Sequence, residues 1–230
     1  MMFKTEMHVH SASVSNCASA DEGEIVRRYI AAGYTSLVLT NHLSKFTYKN
    51  RRFDHSGYSW DEKIDYYMNG YHRMKEAAVG RINILLGVEL RSNKDDNDYL
   101  IHGVDEAFLR SFPEIMDVPI ADVAPRVHEA GGLLFQAHPF RNGMKVTKPS
   151  ILDGIEVYNG HSEHDSRNDI ANMWADKYGL IKISGTDYHH TFHTIGAGIS
   201  TEEPITSEKQ LVEVLRSGRY QLIRAGAVPY

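Results

Sequence analysis

The sequence predicts a parallel β/α barrel, in which strands and helices alternate and the strands close into a ring. The first observation is a repeated order of elements: a helical stretch ends at a glycine, a short apolar run follows, and a His or an acidic residue comes next. The second is that a titratable side chain closes almost every apolar run, as at the carboxyl face of a barrel, whereas an open sheet gathers such groups near one switch point. Because both patterns extend along the chain, we expect one domain over residues 1–230.

Eight apolar runs are the candidate strands of this barrel. In chain order they are KTEMHVH, TSLVLTNH, RINILLGVEL, YLIHG, LLFQAHP, DGIEVYNG, LIKISGTDYHH and RYQLIRAG. Short runs such as LVLT, LLF and LIKI are typical of strands buried on both faces. Helices are predicted between several of them, over residues 25–32 and in VAPRVHEAGG, IANMWADKYG and SEKQLVEVLRSG, because a glycine just past each stretch fits a left-handed helix cap.

Two further segments do not fit a minimal barrel. SKFTYKNRRFDHSGYSW, after His42, is long, aromatic and basic, and is either a loop over the functional site or a surface excursion. SNKDDNDY, between Glu89 and His102, predicts a polar hairpin turn with its acidic side chains in solvent.

Composition limits the classes of function. The 230 residues are 42% hydrophobic, which is enough for a sizeable core, and the single cysteine, Cys17, excludes an internal disulfide and is typical of a reducing compartment. We expect a cytoplasmic protein, because no apolar run approaches the roughly 20 residues that span a bilayer and the N-terminus does not resemble a signal peptide. The net charge of −5 predicts no broad basic face, so we expect neither duplex nucleic acid nor a membrane as a partner.

The arrangement of histidines predicts a metal site. His8 and His10 alternate with Val9, so on a strand both imidazoles point to the same face and can bind one cation. Nitrogen and carboxylate ligands together suit Zn, Mn or Fe better than Ca or Mg. Six more such residues close other apolar runs: His42, Glu89, His102, His138, Asp187 and His189. Eight ligands exceed what one tetrahedral ion needs, so two or three divalent ions are expected.

Seven motifs, in one order along nearly the whole chain, resemble the PHP (polymerase and histidinol phosphatase) superfamily of metal-dependent phosphoesterases. They are HVHS, LTNH, GVEL, IHG, AHPF, GIEVYN and GTDYHH. The resemblance implies a distorted TIM-like (β/α)7 barrel, one strand fewer than the apolar runs suggest, with up to three metals at its carboxyl face. It also implies a distribution of ligands: His8, His10, Glu89 and Asp187 at one ion, Glu89 with His102 and His138 at a second, and His42 and His189 at the third.

The chain departs from the family pattern after the His-x-His pair. The family draws a further ligand for the third ion from a His or Asp about six residues later, where this chain has Asn16 with Cys17 beside it. Either the third ion binds weakly, or Cys17 replaces the missing ligand, or a substrate oxygen or water fills the position. We expect two firmly held ions and a weak third site.

Hydrolysis of a phosphate ester by a metal-bound hydroxide is the reaction that this set of residues predicts. Arg141 is the candidate phosphate ligand, and Glu156 and Asn159 are expected to orient a ligand histidine. His161 and His190 are candidates for contact with the phosphate, and one of these two, His164 or His193 could serve as general acid.

The predicted substrate is a phosphorylated small molecule or a nucleotide, and the oligomeric state is left open. A regulatory or binding module that keeps its metal ligands is the alternative outside enzymes. An amidohydrolase-type barrel also opens with His-x-His, but that family expects a Lys near the fourth strand, where YLIHG offers His102.

Overall fold

The computed structural model describes residues 2–49 and 53–224. Ten strands and seven α-helices lie in these ranges. The strands are β1 (Phe3–Val9), β2 (Tyr34–Leu39), β3 (His42–Leu43), β4 (Asn83–Leu90), β5 (Tyr99–His102), β6 (Leu133–Gln136), β7 (Gly154–Asn159), β8 (Ile181–Gly185), β9 (Ala197–Thr201) and β10 (Gln221–Arg224). The helices are α1 (Glu22–Ala31), α2 (Lys45–Tyr48), α3 (Trp60–Ala78), α4 (Glu106–Arg110), α5 (Ile120–Glu129), α6 (Asn168–Tyr178) and α7 (Glu208–Ser217), with one 3₁₀ turn at Pro149–Ile151.

Seven of the strands form a distorted barrel, in the order β1-β2-β4-β5-β6-β7-β8. The two ends of this order meet at Val9 and Tyr188, which form a parallel bridge. There the His10 N–H donates to the Tyr188 carbonyl (2.9 Å) and the Tyr188 N–H donates to the His8 carbonyl (3.2 Å). The predicted (β/α)7 barrel is therefore confirmed, with seven barrel strands instead of the eight that the apolar runs suggest.

The direction of β5 differs from the prediction. β1, β2 and β4 are parallel neighbours, as are β6, β7 and β8, but β5 is antiparallel to both β4 and β6. The short hairpin over residues 91–98 reverses the chain between β4 and β5, as SNKDDNDY predicts. Consequently the amino end of β5, and not its carboxyl end, lies at the face where the parallel strands end.

A two-stranded extension lies beside β1, outside the ring. β9 is antiparallel to β1, and β10 is antiparallel to β9. The run RYQLIRAG therefore does not form a barrel strand within its described residues, and Ala225 and Gly226 lie outside them. Strand β9 was not predicted, because the run AGIST is short and carries little apolar character.

The helices begin and end where short-range hydrogen bonds satisfy their free backbone groups. Asp21 accepts from the Glu24 N–H before α1, and Ser59 and Glu62 form a reciprocal capping box at the start of α3. Gly179 and Gly218 end α6 and α7 in the left-handed conformation, as the glycine spacing predicts. Buried apolar side chains of α1, α3 and α6 pack with strand residues in two apolar clusters and those of α7 lie in a third, which leaves the carboxyl mouth of the barrel to polar groups.

The segment after His42 is only partly described, because Asn50, Arg51 and Arg52 lie outside the described residues. It contains the short helix α2, whose Ser44 cap accepts from the Phe46 N–H. Phe46 is 55% exposed and lines a cavity beside the barrel mouth, so this part of the segment borders the mouth without covering it.

Candidate metal centre

Side chains from the ends of the parallel strands meet at the mouth of the barrel. Together they form a group that we call the mouth cluster: His8, His10, His42, Glu89, His138, Asp187 and His189. Glu89 lies at its middle, and its two carboxylate oxygens face different histidines. Oε1 is 3.2 Å from His8 Nε2 and 3.4 Å from His138 Nε2, whereas Oε2 is 3.2 Å from His10 Nε2 and 2.8 Å from His42 Nδ1.

The spacing within the cluster fits ligands arranged around an ion. Asp187 Oδ1 is 3.4 Å from Nε2 of both His8 and His10. Four ligand atoms at the usual bond length from a tetrahedral zinc ion are about 3.3 Å from one another, whereas a direct charge-assisted hydrogen bond is usually about 2.8 Å long. Nε2 of His8 and His10 and Glu89 Oε1 are also buried without a good hydrogen-bond partner among the described residues, whereas the 2.8 Å contact of Glu89 Oε2 with His42 Nδ1 has the length of a hydrogen bond. These residues therefore fit a divalent metal ion.

Hydrogen bonds on the far side of three rings fix the nitrogen that is free to bind metal. His8 Nδ1 donates to Glu156 Oε1 (2.9 Å), and His189 Nδ1 donates to the Asp187 carbonyl (2.9 Å). His10 Nδ1 lies 3.2 Å from Ser15 Oγ, which uses its own proton to donate to Asn41 and so accepts from the ring. Each imidazole can then be neutral with the lone pair on Nε2, which is the form that binds metals.

Glu156 supports two members of the cluster at once. Besides accepting from His8, it accepts from the His138 N–H (3.0 Å) and from Asn159 Nδ2 (2.9 Å) through Oε2. Asn159 also donates to Asp187 Oδ2 (3.2 Å). Both residues thus lie directly behind the candidate ligands, and their role in orienting a ligand histidine stays a prediction.

The electrostatic balance of the cluster favours positive charge. Burial alone would lower the pKa of His8, but the carboxylates of Asp187, Glu89 and Glu156 outweigh it and raise that pKa well above its usual value. Burial likewise opposes the charged form of Glu89, yet His42 and His8 hold its pKa well below the usual range. A site that stabilises added positive charge in this way suits divalent cations.

Two of the four non-glycine residues with positive φ among the described residues belong to the mouth cluster. His138 and Asp187 both adopt positive φ, of 28° and 53°, which is unusual for residues other than glycine. The backbone of each is tied to the barrel by hydrogen bonds, such as that from the His138 N–H to Glu156. Strained residues persist only where the surroundings enforce them, and they are frequent at functional sites.

The structure places His102 away from the ligand atoms of the cluster. It lies at the carboxyl end of the reversed strand β5, opposite Gly87 and Leu133, two residues deeper in the barrel than Glu89. Both ring nitrogens are buried without a hydrogen-bond partner among the described residues, and burial, with a smaller contribution from His8, lowers the pKa of His102 to about 3. Among the described residues, His102 joins no group of three candidate ligands.

Asp98, which was not among the predicted site residues, lies at the mouth instead. It directly precedes β5 and is buried, and its Oδ2 is 3.8 Å from His138 Nε2. Arg91 binds both of its carboxylate oxygens, with Nε donating to Oδ1 (2.6 Å) and Nη2 to Oδ2 (2.5 Å). The prediction that the acidic side chains of this hairpin lie in solvent is therefore wrong for Asp98.

On the side of His42, ligand atoms of His10, His42 and His189 lie within 4.8 Å of one another. Asn16 is exposed, and its amide donates to the Phe46 carbonyl. Cys17 is also exposed and lines the same cavity as His42. Burial lowers the pKa of His42, but Glu89 and a hydrogen bond with the Cys17 side chain raise it further than burial lowers it. Of the two candidates for the missing ligand, Cys17 is therefore the one that contacts a cluster histidine.

A cavity of about 250 Å³ opens above the cluster. Arg141 lines it but is already held, because its Nη2 donates to Asp187 Oδ2 (2.7 Å) and to Asn159 Oδ1 (2.8 Å). Other residues of its wall are Arg91, Asp98, His161, Glu163, His164 and His190. Two guanidinium groups, those of Arg91 and Arg141, therefore border the cavity.

His161 and His193 differ from the cluster histidines in the ring nitrogen that is occupied. Nδ1 of His161 accepts from the Glu163 N–H (3.2 Å), and Nδ1 of His193 accepts from the His189 N–H (3.2 Å). A neutral ring in this arrangement carries its proton on Nε2 and is a donor there. In His193 that proton faces Glu163 Oε2 (3.2 Å), whereas His161 lines the cavity above the cluster. His190 lies nearer the rim, with Nδ1 2.8 Å from Ser19 Oγ.

Glu6 is a further residue that sequence reasoning missed. Its buried carboxylate accepts from the backbone N–H groups of Met7, His8 and Thr186 at 2.8–3.1 Å, from Tyr29 Oη (3.0 Å) and from Thr186 Oγ1. It thereby joins β1 just before His8 to the end of β8 just before Asp187. An acidic residue two positions before His8 on a buried strand is the signal that could have identified it.

Comparison with known proteins finds relatives by structure alone. No sequence-family profile and no curated protein sequence matches the chain. A similar structure is a two-domain protein from Bacteroides vulgatus that contains a predicted PHP-like metal-dependent phosphoesterase, with 16% identity, a TM-score of 0.68 and coverage of 97% of this chain and 65% of that one. An amidohydrolase from Chromobacterium violaceum has 18% identity, a TM-score of 0.57 and coverage of 95% and 98%. Endonuclease Q, in complex with a 27-mer duplex with an abasic lesion at the active site, has 12% identity, a TM-score of 0.65 and coverage of 94% and 57%.

These similarities establish the fold. The chain has the barrel of the PHP-like metal-dependent phosphoesterases, so the resemblance seen in its motifs is confirmed at that level. It spans 65% of the length of the Bacteroides protein and 57% of the length of Endonuclease Q. At 12–18% identity the reactions of these proteins do not transfer to this chain.

The exclusion of duplex nucleic acid as a partner was wrong. Endonuclease Q has the same fold and holds duplex DNA at its active site. A net charge averages the whole surface, whereas binding depends on the groups around the site, and here Arg91 and Arg141 border the cavity.

Among the described residues, no helix is both long and apolar enough to cross a bilayer.

Proposed function

We propose that the chain hydrolyses phosphate esters at a centre of two or three divalent metal ions, Zn, Mn or Fe, in the barrel mouth. The observation that carries the proposal is the 3.2–3.4 Å spacing of ligand atoms from His8, His10, Glu89 and Asp187. That spacing fits a bound ion. The mixture of imidazole nitrogens and carboxylate oxygens suits Zn, Mn or Fe better than Ca or Mg, which prefer oxygen ligands alone. The adjacent guanidinium groups favour a substrate with a phosphoryl group.

Glu89 is the residue through which two ions would be linked in this proposal. Its Oε1 faces His8 and His138, and its Oε2 faces His10 and His42. Together with Glu89, His8, His10 and Asp187 would coordinate one ion and His138 a second. His42 and His189 would coordinate the third. With Asn16 turned toward Phe46, the third ion has the fewest ligands, so we expect it to be the weakest bound.

Divalent ions bound there would lower the pKa of a coordinated water, which makes the hydroxide nucleophile available near neutral pH, and would screen the phosphate oxygens. The protein's own groups would hold the substrate. Arg141 keeps Asp187 and Asn159 in place and lies at the wall of the cavity, and His161 presents an N–H donor to it. Burial lowers the pKa of His161 to about 4, although Asp187 opposes the shift, so its ring is a neutral donor at physiological pH.

The substrate is proposed only as a class, a phosphate ester of a small molecule, a nucleotide or a nucleic acid strand. Two alternatives stay open for the experiment. A binding or regulatory module is supported by the departure at Asn16 alone, and amide hydrolysis by the similarity to the Chromobacterium protein. The position of Glu89 on β4, between four histidines, favours phosphoester hydrolysis over both.

The proposal is tested with protein purified without chelators. Bound metal is quantified, and turnover is measured on p-nitrophenyl phosphate, nucleotides, single-stranded and duplex oligonucleotides and an amide panel, with Mn or Zn added. We expect metal-dependent phosphoester turnover that falls by at least about 100-fold in Glu89→Gln, since the bridging carboxylate is lost. Glu76→Gln, on the exposed side of α3, is the matched control. Bound metal without turnover on any phosphoester would contradict the proposal, and turnover on amides alone would favour the alternative reaction.

A further inference from the structure

We propose that Asp98, and not His102, is the side chain that joins His138 and Glu89 in binding the second metal ion. The inference rests on the metal centre proposed above and concerns the one ligand position where sequence pattern and structure disagree. In the family pattern, the histidine of the IHG motif would fill that position. In this structure, the reversal of β5 exchanges the two ends of the strand.

The direction of β5 explains why Asp98 reaches the mouth. β5 is antiparallel to β4, with Glu89 opposite Leu100 and Leu90 opposite Tyr99. Moving along β5 from Leu100 toward its amino end therefore leads outward to the mouth, and moving toward His102 leads inward. The Ala137 N–H donates to the Asp98 carbonyl (3.0 Å), which holds Asp98 beside the residue that precedes His138.

The Asp98 carboxylate has the geometry of a ligand. Its Oδ2 is 3.8 Å from His138 Nε2, and its side chain is only 4% exposed. Ligand atoms of His42, Glu89 and Asp98 also lie within 4.8 Å of one another. A carboxylate that approaches both Glu89 and His138 is placed to contact an ion between them, with small side-chain movements on binding.

Arg91 prepares this carboxylate without blocking it. Its two N–H groups each bind one oxygen of Asp98, so each oxygen keeps a free lone pair. Ligating carboxylates are usually hydrogen-bonded by such outer partners, which fix their orientation.

His102 offers none of these features. Its ring is enclosed in the barrel interior beside Phe135, with a ring-centroid distance of 5.6 Å, and it does not line the cavity above the cluster. Its two nitrogens are buried without a hydrogen-bond partner in the part of the chain that the structure describes, as are Nε2 of His8 and His10, so what sets His102 apart is its position: it joins no group of three candidate ligands there. A buried polar ring without partners is costly, so an apolar residue of similar size should be tolerated there.

The test is the metal content and metal affinity of the whole protein in four variants. We expect Asp98→Asn to lose one equivalent of metal or to bind it at least 10-fold more weakly, while His102→Leu keeps the full complement. Asp96→Asn, at an exposed position of the same hairpin, is the matched control and should bind like the wild type. Arg91→Met removes the partner of Asp98 but keeps the carboxylate, so it should weaken binding of the ion less than Asp98→Asn does.

Each outcome separates this inference from the proposed function. Full metal content and affinity in Asp98→Asn, or a lost ion in His102→Leu, would overturn the assignment even if the wild type hydrolyses phosphoesters. An equal loss in Arg91→Met and Asp98→Asn would assign the effect to the hairpin pair and also overturn it. If the wild type binds metal but turns over no phosphoester, the function fails while the ligand assignment can still be measured. Thermal unfolding of each variant without metal checks that it folds.

Discussion

Glu156→Gln tests whether hydrogen bonds behind the ligands hold the metal centre together. The Glu156 carboxylate accepts from three donors, which are His8 Nδ1 (2.9 Å), the His138 N–H (3.0 Å) and Asn159 Nδ2 (2.9 Å). A glutamine of the same shape offers one oxygen and one NH₂ group, so it cannot accept from both sides. If its oxygen faces His138, its NH₂ group faces His8, whose proton must then move to Nε2, the nitrogen needed by the ion.

The magnitude follows from this choice. Outer partners of metal ligands are usually worth about 10–100-fold in affinity, or about 1.4–2.7 kcal/mol. In the other orientation the His138 N–H and Asn159 face a donor, which costs about 1–3 kcal/mol of folding stability for a buried unsatisfied group. We therefore expect either weaker metal binding or lower stability, and not wild-type values of both.

The assay is competition with a chromophoric chelator for metal affinity, together with urea unfolding of the metal-free protein. Glu208→Gln is the matched control, because Glu208 accepts from the Leu86 N–H (2.9 Å) outside the mouth cluster and a glutamine oxygen can replace it. The control should keep the metal affinity of the wild type. Unchanged affinity and unchanged stability in Glu156→Gln would refute the reasoning.

Three further predictions concern the packing and protonation around the centre. Gly185→Ala would place a Cβ 2.4 Å from that of His8, so we expect a loss of about 1–3 kcal/mol of stability and weaker metal binding. The helical control Gly23→Ala should be neutral or stabilising. Equal urea midpoints for the wild type and Gly185→Ala would contradict this prediction. Glu6→Met leaves three buried backbone N–H groups without an acceptor and should lower the free energy of unfolding by at least about 3 kcal/mol. Glu6→Gln keeps an oxygen for these groups and should lower it by less than about 1 kcal/mol. Similar losses for both variants in urea unfolding would show that these hydrogen bonds do not stabilise the fold. Because burial lowers the pKa of His102 to about 3, the unfolded chain takes up its proton near pH 6.5 and the folded chain does not, so stability falls by about 1.4 kcal/mol per pH unit below pH 6.5 from this group. His102→Leu should therefore lose less stability between pH 6.5 and 5 than the metal-free wild type, and parallel pH profiles would disprove the shift.

The barrel could be predicted from sequence because it depends on short-range patterns. Apolar runs separated by helices that end at glycine specify β1, β2, β4 and β6 to β8, and their order along the chain fixes most of the ring. Glu89 and the histidines at the ends of parallel strands follow from the same pattern, since parallel strands end at one face. The structure brings these residues into contact at the mouth.

Strand direction could not be read from the same pattern. An apolar run such as YLIHG looks alike whether the strand runs with or against its neighbours, so His102 was expected at the mouth. The hairpin over residues 91–98 was recognised, but its consequence, that residues before β5 reach the mouth, was not drawn. For that reason Asp98 was interpreted as a solvated acid, although Arg91 pairs with it and its side chain is buried.

Contacts between distant segments were also beyond the sequence. Arg141 was expected to be free for phosphate, but Asp187 and Asn159 occupy its Nη2, because β7 and β8 are neighbours in the ring. The tautomers of His161 and His193 depend on backbone N–H groups of loops whose course no local pattern specifies.

Anomalous diffraction from crystals of the metal-loaded protein tests the central claim most directly. We predict at least two anomalous peaks at the barrel mouth, one within bonding distance of Nε2 of His8 and His10 and of Asp187, and one between Glu89 and His138. Both peaks should disappear after treatment with a chelator. A metal-loaded crystal without a peak among these residues, or with its ions bound only elsewhere on the surface, would contradict the account.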